Sequence, residues 1–322
     1  MRDSIILLTG GTGSFGQGFV RLLMGDQNVR MVRVFSRDEH KHRSMRDSLK
    51  RDLGAAVEQR VSFFIGDVRD YGRLKRAMDG ATHVVHAAAL KQAPLGETEA
   101  SEFIKTNIAG TENVVEVAKE EGVEKALLIS SDKAVEPINL YGATKMCAER
   151  VFLNADLMRG TSKTRFSCTR YGNVVGTNGS VIPAWLALPD NEPTPVTDIH
   201  STRFWITLQD ANVFVYHALS RMQGGEVFIP QMKAVSILTL AKAIRPNSEI
   251  RIVGLRPGDK RHEVISINGN ETRLSSDKAE LLSEGEIRAA LGLPAHPPAG
   301  EGHLGANVGS DSKREPDPIQ AS

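Results

Sequence analysis

An acid, a base and a phenol that could be activated lie close together in the middle of this 322-residue chain. Asp132 and Lys133 directly follow Ser131, and a second pair, Tyr141 and Lys145, comes a few residues later. On a predicted helix Tyr141 and Lys145 share one face, because residues four apart are neighbours there. The ammonium group would then lower the pKa of the phenol and favour phenolate, the base that hydride transfer needs. The spacing alone equally fits an exposed Tyr packed along a Lys side chain, so the interpretation depends on the N-terminal segment.

A glycine-rich loop joins an apolar run to a helical pattern at the start of the chain. Residues 5–9 (IILLT) have the length of a buried strand, residues 10–16 (GGTGSFG) follow directly, and residues 17–24 have helical periodicity. Glycines in such a loop allow a tight turn and a close approach of the backbone to a pyrophosphate, which lies at the positive end of the helix dipole. This order of elements predicts dinucleotide binding. The glycines concerned are Gly10, Gly13 and Gly16.

The end of the second predicted strand, residues 31–35, indicates which dinucleotide is bound. An NAD enzyme usually carries a carboxylate there, about twenty residues after the glycine loop, for the ribose 2′-hydroxyl. This chain has Ser36 and Arg37 instead, and a guanidinium suits a 2′-phosphate because it offers a bidentate fork. NADP is therefore favoured over NAD. Asp38 and Glu39 are adjacent, and both equally fit the acidic first turn of the next helix.

Strand and helix patterns alternate as far as residue 170, which predicts an α/β fold with a doubly wound parallel sheet of the Rossmann type. The third strand, residues 61–65, is followed by Asp67, which could accept a hydrogen bond from an adenine amino group. The alternative role for Asp67 is to cap the helix that begins near Asp70. Further buried strands are predicted in residues 84–89, 126–130 and 165–170.

The pattern loosens after residue 170 into segments that contain Gly and Pro, which indicates a smaller, interleaved substrate domain. Residues 1–170 are predicted to form the NADP-binding domain, and residues 204–224 return to it. The substrate domain then consists of residues 171–203 and 225–292. Residues 293–322 are rich in Pro, Gly, Ser and charge without periodicity, so they are predicted to be a tail.

Composition excludes several classes of function. The net charge of +1 provides no overall field for nucleic acid or for a membrane surface, and no segment reaches the about 18 apolar residues of a membrane span. With no signal peptide before the glycine loop, a cytoplasmic protein is expected. The two cysteines, Cys147 and Cys168, fit neither a disulfide framework nor a zinc site. His262 and Glu263 lack the second histidine of an HExxH motif, so no metal site is predicted.

Taken together, these motifs resemble the extended short-chain dehydrogenase/reductases, and within them the inverting UDP-N-acetylglucosamine 4,6-dehydratases of flagellin and surface-glycan pathways. The resemblance covers roughly residues 4–265 and is far more specific than any one motif. Its segments are residues 9–16 (TGGTGSFG), 36–39 (SRDE), 66–70 (GDVRD), 86–91 (HAAALK), 105–108 (KTNI), 132–133 (DK), 139–145 (NLYGATK), 170–176 (RYGNVVG), 202–207 (TRFWIT) and 256–258 (RPG).

Lys133 directly after Asp132 discriminates within this family, because retaining dehydratases and 4-epimerases usually differ at that position. The departures from the family pattern are local. Residues 92–94 read QAP where HVP is usual, Asp259 replaces a Glu, and Arg261 replaces an apolar residue. They concern the substrate domain and the oligomer interface rather than the catalytic centre.

The resemblance implies a reaction in which NADP ends as it began. Tyr141 would take the C4 hydroxyl proton while hydride leaves C4, and the resulting 4-ketone would acidify the C5 proton. Lys133 would remove that proton and Asp132 would protonate the departing C6 hydroxyl. For this, Lys133 must be neutral for part of the time, which burial and the Lys145 cation would favour, and Asp132 must hold a proton. Ser131 would hydrogen-bond the C4 oxygen.

The family also implies contacts with cofactor and substrate. The substrate is expected to be a UDP-linked amino sugar, and the enzyme a homo-oligomer, with a hexamer possible. The predicted cofactor contacts are Gly10, Thr12, Gly13, Ser14, Phe15, Gly16, Ser36, Arg37, Asp67, Val68, Ala87, Ala88, Lys91, Tyr141 and Lys145. The predicted substrate contacts are Lys91, Asn173, Val181, Arg203 and Arg256, with Glu263 for the uridine ribose hydroxyls.

Other functions remain open at this point. A nucleotide-sugar 4-epimerase or C5-epimerase needs Tyr141 and Lys145 but has less use for an acid and base at Asp132 and Lys133, and a retaining 4,6-dehydratase is a further alternative. From a different class, the fold could serve as an NADP-sensing binding module. The intact pair of Tyr141 and Lys145 argues against that last function.

Overall fold

The computed structural model describes residues 1–55, 57–177, 180–267 and 272–294. Most of the predicted tail, from residue 295 onward, therefore lies outside the described residues. The strands are β1 Ser4–Thr9, β2 Val29–Ser36, β3 Val61–Ile65, β4 His83–His86, β5 Lys125–Ile129, β6 Arg165–Thr169, β7 Asn173–Val174, β8 Thr194–Val196, β9 Thr202–Ile206, β10 Val227–Phe228, β11 Lys233–Ser236, β12 Ile250–Ile252, β13 Val264–Ile267 and β14 Thr272–Ser275.

Helices follow most of these strands. Lys105–Ala109 forms a π-helical turn and Asp132–Ala134 a 3₁₀ turn. The α-helices are α1 Ser14–Met24, α2 Glu39–Leu53, α3 Val57–Arg60, α4 Tyr71–Met78, α5 Ala93–Gly96, α6 Ala100–Ile104, α7 Gly110–Glu120, α8 Leu140–Leu157, α9 Val181–Leu186, α10 Leu208–Arg221, α11 Ile237–Ile244 and α12 Glu284–Ala290.

The large sheet has seven parallel strands in the order β10-β6-β5-β4-β1-β2-β3. All six residues of β1 are buried, as its apolar sequence predicts for a central strand covered on both faces. The strand order reverses between β1 and β4, so the loops after these two strands open a crevice at the carboxyl edge of the sheet. The predicted doubly wound α/β fold is confirmed.

Two apolar cores cover the two faces of this sheet. On one face α1, α2 and α10 pack through residues such as Phe19, Leu49 and Val215, and on the other α4, α7 and α8 pack through residues such as Leu74, Val114 and Phe152. Burial of these side chains, worth about 1.5–3 kcal/mol each for the larger ones, holds the helices in place. The helix α8 carries Tyr141 and Lys145 and is thereby fixed against the sheet.

Smaller sheets complete the molecule near the carboxyl edge of the large one. β11, β9 and β7 form a three-stranded sheet, and β8 pairs with β12, as β13 does with β14. A third apolar core, which includes Trp185, Trp205 and Leu240, holds α9 and α11 against these strands. Both tryptophans are buried there and also reach the cleft described below.

The structure differs from two predicted boundaries. The sequence pattern assigns residues from 225 onward to the substrate domain, whereas β10 pairs with β6 at the edge of the large sheet. A two-residue strand has no periodicity that a sequence pattern could reveal. The pattern also returns the chain to the large domain at residue 204, whereas β9 pairs with β7 and β11 in the three-stranded sheet as far as Ile206.

Among the described residues, each helix is too short or too polar to cross a bilayer.

Gly10 occupies a position that no other residue fits well. Its φ is +66°, and a Cβ built on it would lie 2.8 Å from the backbone of Ala88, in the loop after β4. The close approach lets the two loops form one wall of the crevice. Gly16 is also crowded. A Cβ there would lie 2.2 Å from the carbonyl oxygen of Gly11 and push α1 away from the loop.

Replacing Gly10 by Ala is expected to lower the free energy of unfolding by more than Gly122→Ala does. Both positions have positive φ, which costs about 1–2 kcal/mol for a residue with a Cβ, but Gly122 has open space around it. The excess loss at position 10 measures the crowding against Ala88. Urea denaturation of both variants would give the two values, and equal losses would contradict this explanation.

Candidate active site

One cleft of about 720 Å³ runs from the glycine loop to the smaller sheets. It follows the crevice at the reversal of strand order, where ligands of doubly wound folds bind. Almost every residue predicted to contact cofactor or substrate lines it. The exceptions are Gly16, which is buried where α1 meets the loop, and Asp132, which is fully buried behind Lys133.

The glycine-loop end of the cleft fits a pyrophosphate. Gly13 is the N-cap of α1, and no side chain caps that end of the helix. The free N–H groups and the positive end of the helix dipole therefore face the cleft together with Thr12, Ser14 and Phe15. The loop after β4 supplies Ala87 and Ala88 to the opposite wall, and a Cβ at Gly10 would fill the gap between them.

Polar groups at the ends of β2 and β3 lie where the adenosine half of a dinucleotide would bind. Ser36 Oγ lies 2.9 Å from Thr12 Oγ1, and Arg37 Nη1 lies 3.8 Å from Asp67 Oδ2. Asp38 Oδ1 accepts a hydrogen bond from the Lys41 amide, so this carboxylate caps α2. The cap at the start of α4 is Asp70 rather than Asp67, which leaves Asp67 in the wall of the cleft beside Val68.

The residues predicted to act as acid and base lie in the 3₁₀ turn after β5. Ser131 Oγ donates a hydrogen bond to Asp132 Oδ1 at 2.9 Å and accepts one from the Lys133 amide at 3.3 Å. Lys133 Nζ lies 3.1 Å from Asp132 Oδ1 and 3.1 Å from Asn173 Oδ1. The side chain of Asp132 is fully buried, whereas that of Lys133 is 27% exposed and reaches the cleft.

Tyr141 and Lys145 lie on the first turns of α8, whose N-cap is Asn139. Lys145 is 4% exposed, and its Nζ donates a hydrogen bond of 2.6 Å to the carbonyl oxygen of Ile129. This bond aims the ammonium group at the end of β5, beside the cleft. Burial lowers the pKa of Lys145 to about 8, against the opposing effect of Glu149.

The expected effect of Lys145 on the phenol is wrong for this structure. Burial raises the pKa of Tyr141, and the cation that opposes this rise is Lys133, helped by a hydrogen bond with Ser131. The Lys145 ammonium group is directed at a carbonyl oxygen instead. A helical spacing of four places two residues on one face, but it does not determine where a flexible Lys side chain ends.

The expectations for the acid and base differ in outcome. Burial raises the pKa of Asp132, which favours the protonated acid that the predicted chemistry requires. For Lys133 burial does not lower the pKa as expected, because the carboxylates of Asp132 and Glu263 outweigh burial and raise it, so only a minor fraction of the amine is neutral and able to act as a base. Glu263 lies 130 residues away in the chain, and its proximity to Lys133 could not be predicted from sequence.

The predicted substrate contacts divide into two groups. Asn173 and Arg203 lie with Glu263 around Lys133, and Glu263 Oε1 is 3.3 Å from Lys133 Nζ. Arg256 lies at the rim, with a side chain 63% exposed and paired with Asp259 at 3.1 Å. Lys91 and Val181 are exposed residues in the wall of the cleft.

Sequence reasoning missed Lys260. This residue lines the cleft, its side chain is 12% exposed, and its Nζ lies 3.7 Å from Glu263 Oε2. The signal for it is its place directly after Asp259, which follows the Arg-Pro-Gly motif of residues 256–258.

In the part of the chain that the structure describes, no three His, Cys, Asp or Glu side chains are grouped as a metal site would require.

Comparison with known proteins finds one matching family and several similar enzymes. Residues 6–282 match a family described as polysaccharide biosynthesis protein. The inverting UDP-N-acetylglucosamine 4,6-dehydratase of Campylobacter jejuni subsp. jejuni serotype O:23/36 (strain 81-176) is 42% identical over 288 residues, which cover 89% of this chain and 82% of that protein. UDP-glucose 4-epimerase of Rickettsia bellii (strain RML369-C) is 37% identical over 311 residues, which cover 90% and 89% of the two chains.

Solved structures agree on the fold. The X-ray structure of Pen from Bacillus thuringiensis matches with a TM-score of 0.82 and 31% identity over 90% of this chain and 98% of that one. The dTDP-glucose 4,6-dehydratase DesIV from Streptomyces venezuelae, solved with NAD and TYD bound, matches with a TM-score of 0.71 over 92% and 94% of the two chains, and at 22% identity it bears on the fold alone. By its sequence and its fold, this chain belongs to the family of polysaccharide biosynthesis proteins.

Proposed function

We propose that this chain is an NADP-dependent hydro-lyase that converts UDP-N-acetylglucosamine to a 4-keto-6-deoxy sugar with inversion at C5. The observation that carries the proposal is the arrangement of Lys133 Nζ, 3.1 Å from the buried Asp132 carboxyl group, in the same cleft as Tyr141. Elimination of water needs a base and an acid as well as the oxidation pair, and this site holds both. The inverting UDP-N-acetylglucosamine 4,6-dehydratase of Campylobacter, which is 42% identical to this chain, supports the proposal.

The chain's own residues then have distinct tasks. Tyr141 takes the C4 hydroxyl proton, Lys133 removes the C5 proton, and Asp132 protonates the leaving C6 hydroxyl. Asp132 suits this task because burial raises the pKa of its carboxyl group, so it holds a proton near neutral pH more readily than an exposed Asp. When bound, NADP supplies reversible acceptance and donation of hydride. Glu263 is proposed below to act through Lys133.

The choice of NADP over NAD rests on the end of β2. The Arg37 guanidinium is half exposed at the cleft, and the Asp38 carboxylate that could otherwise accept from a ribose hydroxyl is engaged as the cap of α2. The Arg37 guanidinium, whose ion pair with Asp67 spans 3.8 Å, would stabilise a 2′-phosphate, whereas the 2′-hydroxyl of NAD gives it nothing to neutralise.

Arg37→Gln is expected to weaken NADP binding and to leave NAD binding nearly unchanged. A hydrogen bond to a charged group is worth about 1.5–3 kcal/mol, so the loss for NADP is at least about tenfold. Isothermal titration of the dinucleotide-free protein with each cofactor measures both affinities. Arg43→Gln, on an exposed position of α2 outside the cleft, is the matched control. An equal loss for both cofactors would contradict the assignment.

We further propose that the enzyme is a cytoplasmic homo-oligomer, as the family resemblance implies. Leu157 and Met158, at the end of α8, are 81% and 70% exposed. These two neighbouring apolar side chains are the positions we expect a second subunit to cover, because contiguous exposed apolar surface marks protein contacts.

A second candidate is a nucleotide-sugar 4-epimerase, the activity in the name of the 37% identical Rickettsia protein, although the 42% identity to the Campylobacter dehydratase favours the first. Proton NMR of the protein with UDP-N-acetylglucosamine in deuterated water separates the two. A new C6 methyl signal with deuterium at C5 and an L-configured ring is the result expected for the inverting dehydratase. A sugar epimerised at C4 with an intact C6 hydroxymethyl group would establish the epimerase, and an unchanged spectrum would reject both for this substrate.

A further inference from the structure

Glu263 is buried and rigidly held at the edge of the cleft. It directly precedes β13, and its side chain is 3% exposed. Its amide donates to Ser276 Oγ at 3.0 Å, and its carbonyl oxygen accepts from the Ser276 amide at 2.9 Å. A carboxylate is rarely buried unless other charges compensate it. Its neighbours therefore decide what it does.

The closest of these charges is the ammonium group of Lys133. Glu263 Oε1 lies 3.3 Å from Lys133 Nζ, which also contacts Asp132 Oδ1 and Asn173 Oδ1 at 3.1 Å each. Oxygens from three separate parts of the chain thus surround one nitrogen. Two of them are carboxylate oxygens, which favour the charged form of the amine.

Two further cations hold Glu263 in its ionised form. Arg203 Nε lies 3.9 Å from Oε1, and Lys260 Nζ lies 3.7 Å from Oε2. Lys260 is anchored in turn by a hydrogen bond of 2.6 Å to the carbonyl oxygen of Val135. Burial raises the pKa of Glu263, but these cations and Lys133 outweigh it, and the net shift is downward. Among the described residues, Oε2 has no hydrogen-bond partner.

We propose that Glu263 is a positioning residue for Lys133: it fixes the ammonium group between Asp132 and Asn173 and sets the pH at which Lys133 becomes a free base. The inference rests on the proposed function, because that function assigns the base to Lys133. It also gives Glu263 a task in the reaction in place of the predicted contact with the uridine ribose.

The expected consequence is a shift of the whole pH profile. Burial lowers the pKa of Lys133, whereas Asp132 and Glu263 raise it further than burial lowers it. The negative charge of Glu263 also raises the pKa of Asp132. A neutral group at position 263 would lower both values, so both limbs of the profile would move to lower pH. The other charged or titratable groups that face Lys133 are Arg203 and Tyr141, with Lys260 beyond Glu263.

Glu263→Gln tests this directly. It keeps the size and one oxygen of the side chain while removing the charge, and the kcat profile is expected to move to lower pH by about one unit or more. Glu263→Asp keeps the charge, so its profile should stay near that of the wild type even if kcat falls. Glu280→Gln, which removes an exposed partner of Lys233, is the matched control and should change nothing. A lower kcat with an unshifted profile in Glu263→Gln would reduce the residue to a structural role and overturn the proposal.

A second measurement does not depend on turnover. The rate at which acetic anhydride acetylates Lys133, followed against pH by mass spectrometry of its peptide, reports when the amine becomes neutral. In the wild type Lys133 should react only at higher pH than the exposed Lys105, and Glu263→Gln should bring its reaction to lower pH. Reaction of wild-type Lys133 in step with Lys105, or an unchanged pH dependence in the variant, would overturn the inference. Absence of turnover in the wild type would instead reject the proposed function and leave this result intact.

Discussion

Lys133→Met is expected to stop the dehydration of UDP-N-acetylglucosamine while oxidation at C4 continues. The methionine is similar in length but has no basic nitrogen, so the group proposed to remove the C5 proton of the 4-keto sugar is missing. General base catalysis contributes about 10²–10⁴-fold, and the formation of 4-keto-6-deoxy product should fall by that factor. Reduced cofactor should still appear on mixing, because Tyr141 and Lys145 are present, but more slowly than in the wild type, since the cation that opposes the rise in the pKa of Tyr141 is gone.

Absorbance of the reduced nicotinamide and proton NMR in deuterated water measure these two steps separately. The variant is expected to show reduced cofactor, no C6 methyl signal and no deuterium at C5. Lys105→Met, which replaces an exposed lysine outside the cleft, should behave like the wild type. A C6 methyl product formed at the wild-type rate would show that another group removes the C5 proton.

Removal of the Lys133 charge also has an electrostatic consequence. Asp132 and Glu263 would no longer share a cation, and their mutual repulsion would raise the pKa of Asp132 further. Glu263 would keep Arg203 and Lys260 as partners. The carboxyl group of Asp132 therefore holds its proton more tightly in the variant than in the wild type, so a loss of dehydration would come from the missing amine rather than from an ionised acid.

Local signals in the sequence were sufficient for the dinucleotide half of the molecule. The apolar run of β1 and the glycines after it depend on neighbours within a few residues, so the strand, the loop and α1 follow the predicted order. The structure also explains why glycine occurs at position 10, since the crowding there comes from Ala88, far along the chain. The pattern predicted the loop, but this contact could not be inferred without the fold.

Proton affinities in the catalytic centre could not be predicted in the same way. The sequence, through its resemblance to the family, predicts Asp132 and Lys133 in the 3₁₀ turn as acid and base. The charge that raises the pKa of Lys133 comes partly from Glu263, which the chain brings back only after the smaller sheets are formed. Two-residue strands such as β10 escape prediction for a related reason, because they exist only through pairing with β6.

Tyr141→Phe is expected to stop the reaction before any step that Lys133 performs. Without the phenol, nothing takes the C4 hydroxyl proton, and hydride does not leave C4. The variant should therefore show neither reduced cofactor nor product, with a loss of about 10²–10⁴-fold in kcat. The buried position of Lys145 and its bond to Ile129 are unaffected, so dinucleotide binding should remain.

The matched control is Tyr216→Phe. Tyr216, on α10 and outside the cleft, donates a hydrogen bond of 2.6 Å to Asp26, and the loss of this bond should cost about 1 kcal/mol of stability without an effect on kcat. Reduced cofactor in Tyr141→Phe at the wild-type rate would contradict the role of the phenol. The two active-site variants thus stop the reaction at different steps. Tyr141→Phe stops it before oxidation at C4, and Lys133→Met stops it after that oxidation. Only a dehydratase with separate oxidation and elimination residues gives that pair of results, because an epimerase would lose activity with Tyr141→Phe and retain it with Lys133→Met.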